Sequence, residues 1–499
     1  MAVRDTEGTE VVVVGAGPVG LLLAGELRLA GVRVTVLEKL TEPTTESRAS
    51  ALHARTMEFF DQRGLLDGLG TLPNLPHGHF GGIPLDLMLP GLYPGQWKLP
   101  QAETEKLLWR WATGLGADVR RGHELTGLTA TAAGVEAEVT TATGTHRLQA
   151  EYLVGCDGEQ SAVRGLAGFA FPGADATIEL IRADLRGIEI PDRRFERHEN
   201  GLATAYRYPD GLTRVMVHEF GSSPRRRDEE PAFAEIVAAW ARVTGEDIGA
   251  ATPVWLNAFG DTRRQAAAYR QGRVLLAGDA AHRQLPSGGQ ALNLGLQDAA
   301  NLGWKLAARV RGHGSESLVD SYHDERHPVG ARVLTNVAAQ ALLLFGDRRV
   351  DATRAVLAEL LATEPARTHV AAMVSGLDTR YDVGPSTHPL LGAPLPFHRL
   401  GGGHTTFSLL RKGTGVLLDL TGDPGIRDVA QPWADRVRAV SAIADDAPGF
   451  GAALVRPDGH LAWVDGTRAE LETALARWFG PALPQHTTST TGGRRGQAG

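Results

Sequence analysis

The stretch Val11 to Gly20, VVVVGAGPVG, constrains this chain more than any other. Four consecutive β-branched residues predict a strand buried on both faces. GAGPVG then predicts a turn from strand into helix. Its first glycine permits the turn, the second lets a pyrophosphate approach the backbone, and the third lets the helix pack on the strand. Leu21 to Ala30 supply that helix, and Gly31 ends it. Val32 to Leu37 predict a second strand with Glu38 at its end. A carboxylate there can accept both hydroxyls of an adenosine ribose. A lone glycine-rich turn is weak evidence. Strand, turn, helix, strand and terminal acid in this order point to dinucleotide binding, because an ordinary βαβ unit leaves Glu38 unexplained.

The chain has 499 residues, too many for one simple core, so two or three domains are expected. Hydrophobic residues make up 42% and charged residues 22%, the balance of a soluble protein. The net charge of -7 comes without a basic tract, so nucleic acid is not an expected partner. A single cysteine, Cys156, excludes an intrachain disulfide and fits a cytoplasmic setting. No cysteine cluster suggests a metal site. The first residues do not read as a signal peptide, and no run of about 18 apolar residues predicts a membrane span.

Periodicity divides the chain. Residues 1–177 and 269–395 read as one discontinuous α/β nucleotide-binding domain. Tyr152 to Gly155 and Arg273 to Gly278 add buried strands to it, and Gly288 to Val310 adds a long helix. Ser50 to Leu66 predicts a helix, whereas Leu72 to Gly95 reads as short strands or a mobile loop. Ser321 and Tyr322 open a helical stretch that runs past Pro328 to Phe345. Alternating segments between 178 and 268 predict an inserted antiparallel sheet. Residues 400–483 read as a smaller βα domain, with Phe407 to Leu410 as one strand, and 484–499 as a disordered tail.

Two further stretches carry candidate chemistry. In Gly155 to Arg164, Asp157 follows a strand, Ser161 can cap the next turn, and Arg164 offers a planar fork for phosphate or carboxylate. Arg164 reads either as a cation for a dinucleotide or as a surface arginine paired with an acid such as Glu159. In Gly278 to Asn293, Asp279 stands at a strand end, where it can bond polyol hydroxyls or cap a turn. His282 reads as a turn histidine or a catalytic candidate. Pro286-Ser287-Gly288-Gly289 leads into the long helix, whose free N–H groups face whatever lies at its start.

Together the three stretches resemble the class A flavoprotein monooxygenases, the aromatic hydroxylases of which p-hydroxybenzoate hydroxylase is the simplest. The resemblance is strongest to bacterial polyketide hydroxylases acting on angucyclinone, anthracycline and tetracycline intermediates. Gly289 to Leu306 and Tyr322-His323-Asp324-Glu325-Arg326-His327-Pro328 are typical of that group, as is Val455 to Trp463 of its thioredoxin-like third domain. The implied fold is a Rossmann-like FAD-binding domain, an inserted antiparallel-sheet substrate domain and a carboxyl-terminal thioredoxin-like domain without redox cysteines.

The resemblance implies FAD on Gly15, Gly17, Pro18, Val19, Gly20 and Lys39, with Glu38 at the adenosine ribose. Arg48 and Gln101 would lie by the pyrophosphate and ribityl region, with Asp279. Pro286, Gly288, Gly289, Gln290, Ala291, Leu292 and Asn293 would line the isoalloxazine. Asp157 and Arg164 would serve FAD and a transient NADPH or NADH. The implied reaction is hydroxylation of a fused-ring aromatic polyketide by dioxygen through a flavin C4a-hydroperoxide. Baeyer–Villiger oxidation and antibiotic inactivation share the same motifs; an FAD-holding protein without turnover fits the motifs least. No catalytic base stands out among His53, His79, His218 and His282, and Arg48 is a further candidate. The sequence leaves homo-oligomerisation open.

Overall fold

The structure is a computed structural model that describes residues 8–43, 49–225, 227, 230–286 and 288–483. Arg48, Ser287 and the expected tail 484–499 lie outside the described residues.

The VVVV segment forms the strand Val11–Val14, every residue of which is buried. It lies inside a six-stranded sheet in the order Arg270–Gln271, Val274–Leu276, Tyr152–Gly155, Val11–Val14, Val34–Glu38, Asp118–Arg121. All neighbours run parallel except the edge strand Arg270–Gln271. A parallel sheet buried on both faces needs apolar runs, which is what these strands carry. The helix Pro18–Leu29 packs between the helices Gln101–Gly114 and Gln290–Val310. A three-stranded antiparallel sheet, Glu124–Ala130, Val135–Thr141 and Gly144–Ala150, follows the other edge strand, Asp118–Arg121.

The inserted segment is a five-stranded antiparallel sheet in the order Arg193–Arg197, Gly201–Arg207, Thr213–Glu219, Glu179–Arg186, Thr252–Gly260. One face buries Ala183, Leu185, Val215 and Val217 against Ile236 and Trp240 of the helix Phe233–Thr244. The other places Leu180 and Leu202 against Leu285 and against Val337, Leu344 and Phe345 of the helix Glu316–Phe345. Each such Val, Leu, Ile or Phe side chain contributes about 1.5–3 kcal/mol when fully buried. The sheet is thereby anchored beside the turn that opens Gln290–Val310. Glu316–Phe345 is long and apolar enough by composition to cross a membrane, but half of its most apolar window is buried within the protein, as in a core helix.

Residues 415–464 form a mixed four-stranded sheet in the order Val437–Ser441, Gly415–Asp419, Ala452–Val455, Leu461–Val464. The helices Pro424–Ala430 and Arg468–Phe479 pack against it.

Three local expectations change. The helix expected to open at Ser321 begins at Glu316, capped by the Ser315 side chain. Ser50 to Leu66 is not one helix: Ala51–His53 pairs with Gln96–Lys98 as a strand, and the helix is only Ala54–Gln62. Phe407 to Leu410 is not a strand but ends in a single 3-10 turn, Ser408–Leu410. The segment after Leu72 resolves into short strands, including the hairpin His77–Phe80 with Ile83–Asp86.

Candidate functional site

The three glycine-bearing stretches meet at the carboxyl ends of the central strands. The Gly15 N–H donates to the Leu37 carbonyl at 2.7 Å, Cys156 N–H to Val14 at 2.8 Å, and Ala277 N–H to Gly155 at 2.9 Å. Gly15 has a φ of 104°, and a side chain there would collide with the Cys156 carbonyl. Gly17 differs: a Cβ built there meets nothing within 4 Å. The amino end of Pro18–Leu29 therefore opens onto free space, with Pro18 in the first turn, where no N–H is needed. Val19 is where the first and third stretches touch. A Cβ on Gly278 would lie 3.0 Å from its side chain, and one on Gly295 2.8 Å.

Glu38 sits at its strand end, half-buried. One carboxylate oxygen accepts the Ala16 N–H and the other the Leu40 N–H, both at 2.9 Å. Each oxygen keeps a second acceptor site. Lys39 is exposed beside it. Gln101 opens its helix with its amide on Glu105, 2.9 Å away, and its N–H on the Ala49 carbonyl. Asp279 projects from the turn Gly278–Ala280 as an exposed carboxylate.

The second stretch braces the site. The Ser161 hydroxyl and the Val163 N–H donate to the Asp157 carboxylate at 2.6 and 3.1 Å. Arg164 donates to the carbonyls of Ala280 and Glu159 at 3.0 and 2.8 Å, and its guanidinium lies 4.0 Å from the centre of the Phe171 ring. The bond to Ala280 joins the second stretch to the third. The Glu159 carboxylate pairs with Arg283 instead, at 3.2 Å.

The third stretch ends in two consecutive left-handed glycines, Gly288 (φ 65°) and Gly289 (φ 70°), preceded by an exposed Pro286. Gln290 begins the helix, and its side-chain carbonyl turns away to accept from Asn336 and Gln340. Ala291 and Leu292 are half-buried in the first turn. Asn293 fastens that turn to the Ala51–His53 strand. Its amide donates to the carbonyls of Ala51 and Gly289 at 2.9 and 2.8 Å and accepts the His53 N–H at 2.9 Å.

The four histidines divide. The His282 side chain is fully enclosed, with Nε2 2.7 Å from Asp298, which also binds Arg326 at 2.7 Å and the Gly278 N–H at 3.2 Å. His218 holds the Glu179 carbonyl through Nδ1. His79 packs on Phe195, and burial, helped by Arg194, pushes its ring down to about 4. Burial likewise pushes His53 down to about 4, and its Nε2 lies 3.2 Å from the Gln96 amide. Only His53 lines a cavity described here. That cavity, ≈ 310 Å³, lies between Gln290, Asn293, Val333, Met373 and Arg380. A second of ≈ 310 Å³ is bounded by Ile178, Leu285, Val337 and Phe345. No group of three or more metal-ligating side chains exists among the described residues.

Sequence reasoning missed the Asn293 fastening and the buried Asp298–Arg326 pair. Asp298 did leave a signal, since it shares the apolar face of its helix with Leu294 and Leu302.

This is a dinucleotide site in which three strand ends and one long helix converge. The FAD binding domain family matches residues 8–337, and the aromatic-ring hydroxylase carboxyl-terminal family matches 388–482. The chain belongs to the FAD-dependent aromatic-ring hydroxylases, and it is an FAD-dependent monooxygenase. It is 42% identical to the 12-dehydrotetracycline 5-monooxygenase/anhydrotetracycline 6-monooxygenase of Streptomyces rimosus, over 95% of this chain and 99% of the relative. It is 41% identical to rifampicin monooxygenase of Streptomyces venezuelae over the same shares. The solved structure of CabE, an aromatic hydroxylase from angucycline biosynthesis, superposes with a TM-score of 0.92 at 48% identity, covering 95% of this chain and 100% of that one. The residues present fit FAD. The free space at Gly17 admits a pyrophosphate at a helix amino end, and the Glu38 and Asp279 carboxylates supply acceptors for hydroxyls.

Proposed function

We propose that this enzyme uses NADPH or NADH and dioxygen to hydroxylate a fused-ring aromatic polyketide in the cytoplasm. The single observation that carries the substrate class is likeness over the whole chain to proteins acting on tetracycline and angucycline frameworks. FAD held there would supply electron transfer from a reduced nicotinamide and activation of dioxygen; the protein supplies binding, orientation and electrostatics.

In this reading Gly15, Gly17 and Gly20 let the pyrophosphate reach the start of Pro18–Leu29, Glu38 takes the adenosine ribose, and Asp279 the ribityl chain. The turn Pro286 to Asn293 lines the flavin ring. The N–H groups at the start of Gln290–Val310 favour negative charge at the pyrimidine edge. The inserted sheet shields the ring from water. His53, His79 and His218 are held neutral or bonded within the fold, so regioselectivity rests on the shape of the cavity rather than on a strong base.

A second reading, oxidative inactivation of an antibiotic, is favoured by the likeness to rifampicin monooxygenase. A mass-spectrometric screen separates the two: tri- and tetracyclic phenols and ansa-bridged naphthoquinols are each incubated with enzyme, FAD and NADPH. The proposal expects hydroxylated tri- or tetracycles. Turnover of the ansa compounds alone supports inactivation, and an ester or lactone product would mark Baeyer–Villiger oxidation.

A further inference from the structure

The turn Arg456-Pro457-Asp458-Gly459-His460 belongs to the carboxyl-terminal sheet, yet its polar atoms reach the nucleotide-binding part. The Asp458 carbonyl accepts Arg55 at 2.7 Å, and the Pro457 carbonyl accepts Arg63 at 2.7 Å. These arginines stand near one end and just beyond the other end of the helix Ala54–Gln62, which directly continues the Asn293-fastened strand. Arg63 also forms a two-pronged pair with Glu26 at 2.6 and 2.9 Å. Glu26 lies on Pro18–Leu29, the helix that follows GAGPVG.

On its other side the turn meets the long helices. Arg456 pairs with both oxygens of Glu325 at 2.6 and 2.8 Å and with the Asp458 carboxylate. Lys305 and Asn301, from Gln290–Val310, donate to the same Glu325 oxygen at 2.8 and 2.6 Å. Asn301 also reaches Asp458 at 3.3 Å. Arg55, Arg63, Lys305, Glu325, Arg456 and Asp458 are all buried. Gly459 has no room for a side chain, since a Cβ would strike the Gln62 amide.

We infer that this turn is a positioning element for FAD. It joins the helix after GAGPVG, the helix after the Ala51–His53 strand, and the helix that begins at Gln290. Those three carry the surfaces that would hold the pyrophosphate and the flavin ring. A charged cluster sealed from water has few arrangements that satisfy every member, so the turn fixes the spacing of the three. It touches no cofactor atom; it acts through Arg55, Arg63 and Asn301. A carboxyl-terminal unit without redox cysteines thus becomes part of the FAD site's scaffold. The inference depends on FAD binding and not on the identity of the substrate.

Coupling is reciprocal: if the docked turn favours FAD, bound FAD must favour the docked turn. Two measurements test this on the full chain. In wild type, hydrogen–deuterium exchange compares apoprotein with FAD-loaded protein. The expected result is slower exchange on loading at amides of 54–62 and 455–461. Unchanged exchange at both segments would overturn the inference. In variants, FAD dissociation constants from flavin fluorescence are compared at matched losses of Tm. Arg55→Met is expected to weaken FAD at least tenfold, and Arg55→Lys to recover part of that. Leu475→Ala, in the carboxyl-terminal core, is expected to lower Tm with FAD affinity within twofold of wild type. If Arg55→Met and Leu475→Ala weaken FAD equally, the turn serves stability alone.

Discussion

Asn293 offers the most discriminating perturbation. Its side chain makes three hydrogen bonds of 2.8–2.9 Å, all to backbone groups: two on the Ala51–His53 strand and one at Gly289, just before its own helix. Asn293→Ala removes all three and leaves the His53 N–H and the Ala51 carbonyl buried without this partner. An unpaired buried backbone group costs about 1–3 kcal/mol, so the sum is about 2–5 kcal/mol after partial relaxation. Asn293→Asp is the sharper variant because its shape is nearly unchanged. One oxygen still accepts the His53 N–H, but the other replaces an amide donor and faces two carbonyls. At pH 8 it is therefore expected to be no more stable than Asn293→Ala and to bind FAD at least tenfold more weakly than wild type. Urea unfolding of the apoprotein and fluorescence titration with FAD read the two effects. Wild-type stability and affinity in Asn293→Asp would refute the donor role and, with it, the fastening of Ala51–His53 to the helix start.

Other consequences follow from the same contacts. Glu38→Ala removes acceptors for the Ala16 and Leu40 N–H groups as well as for a ribose, at about 1.5–3 kcal/mol per charge-assisted bond; an FAD dissociation constant raised at least tenfold is expected by equilibrium dialysis. Arg164→Ala is expected to weaken FAD retention, with the NADPH concentration for half-maximal flavin reduction within twofold of wild type in stopped flow, because its guanidinium is occupied by two carbonyls and a ring. Burial alone would raise the Glu325 carboxyl, but Arg456 and Lys305 hold it at about 2. This contribution is complete above the unfolded value near pH 4.3 and is lost as pH falls towards 2; Glu325→Gln should flatten the acid limb of a denaturation profile there. Burial pushes His53 and His460 down to about 4, so the unfolded chain binds protons first and stability declines from about pH 6.5 to 4. A urea midpoint unchanged between pH 7 and 5 would contradict that sign.

Local signals made the frame legible. Val11 to Val14 could only be a doubly buried strand, and GAGPVG fixed where the chain must turn. The long helices were legible from their period, including the one that runs through Pro328. What escaped depends on partners far away in the chain. Ala51–His53 is a strand because Gln96–Lys98 pairs with it and Asn293 holds its other side, and nothing within five residues announces either. Arg164 carries the same charge whether it meets a phosphate or a carbonyl, and only the fold brings Ala280 to it. The histidine at 282 reads equally as a turn residue or a catalytic candidate, and only the fold brings Asp298, from the next helix, against it. Buried ion clusters are hidden in the same way: Arg456 and Glu325 belong to separate elements, and neither alone shows that it lies inside.

In the proposed reaction one atom of dioxygen would go to a fused-ring aromatic compound and the other to water. The direct measurement is a single set of turnovers under isotopically labelled dioxygen, with FAD-loaded enzyme, NADPH and the best substrate from the screen, read by mass spectrometry. The account predicts a product carrying one labelled oxygen atom, formed in proportion to the NADPH consumed. A product isomeric with its substrate, or one whose added oxygen comes from water, would contradict it.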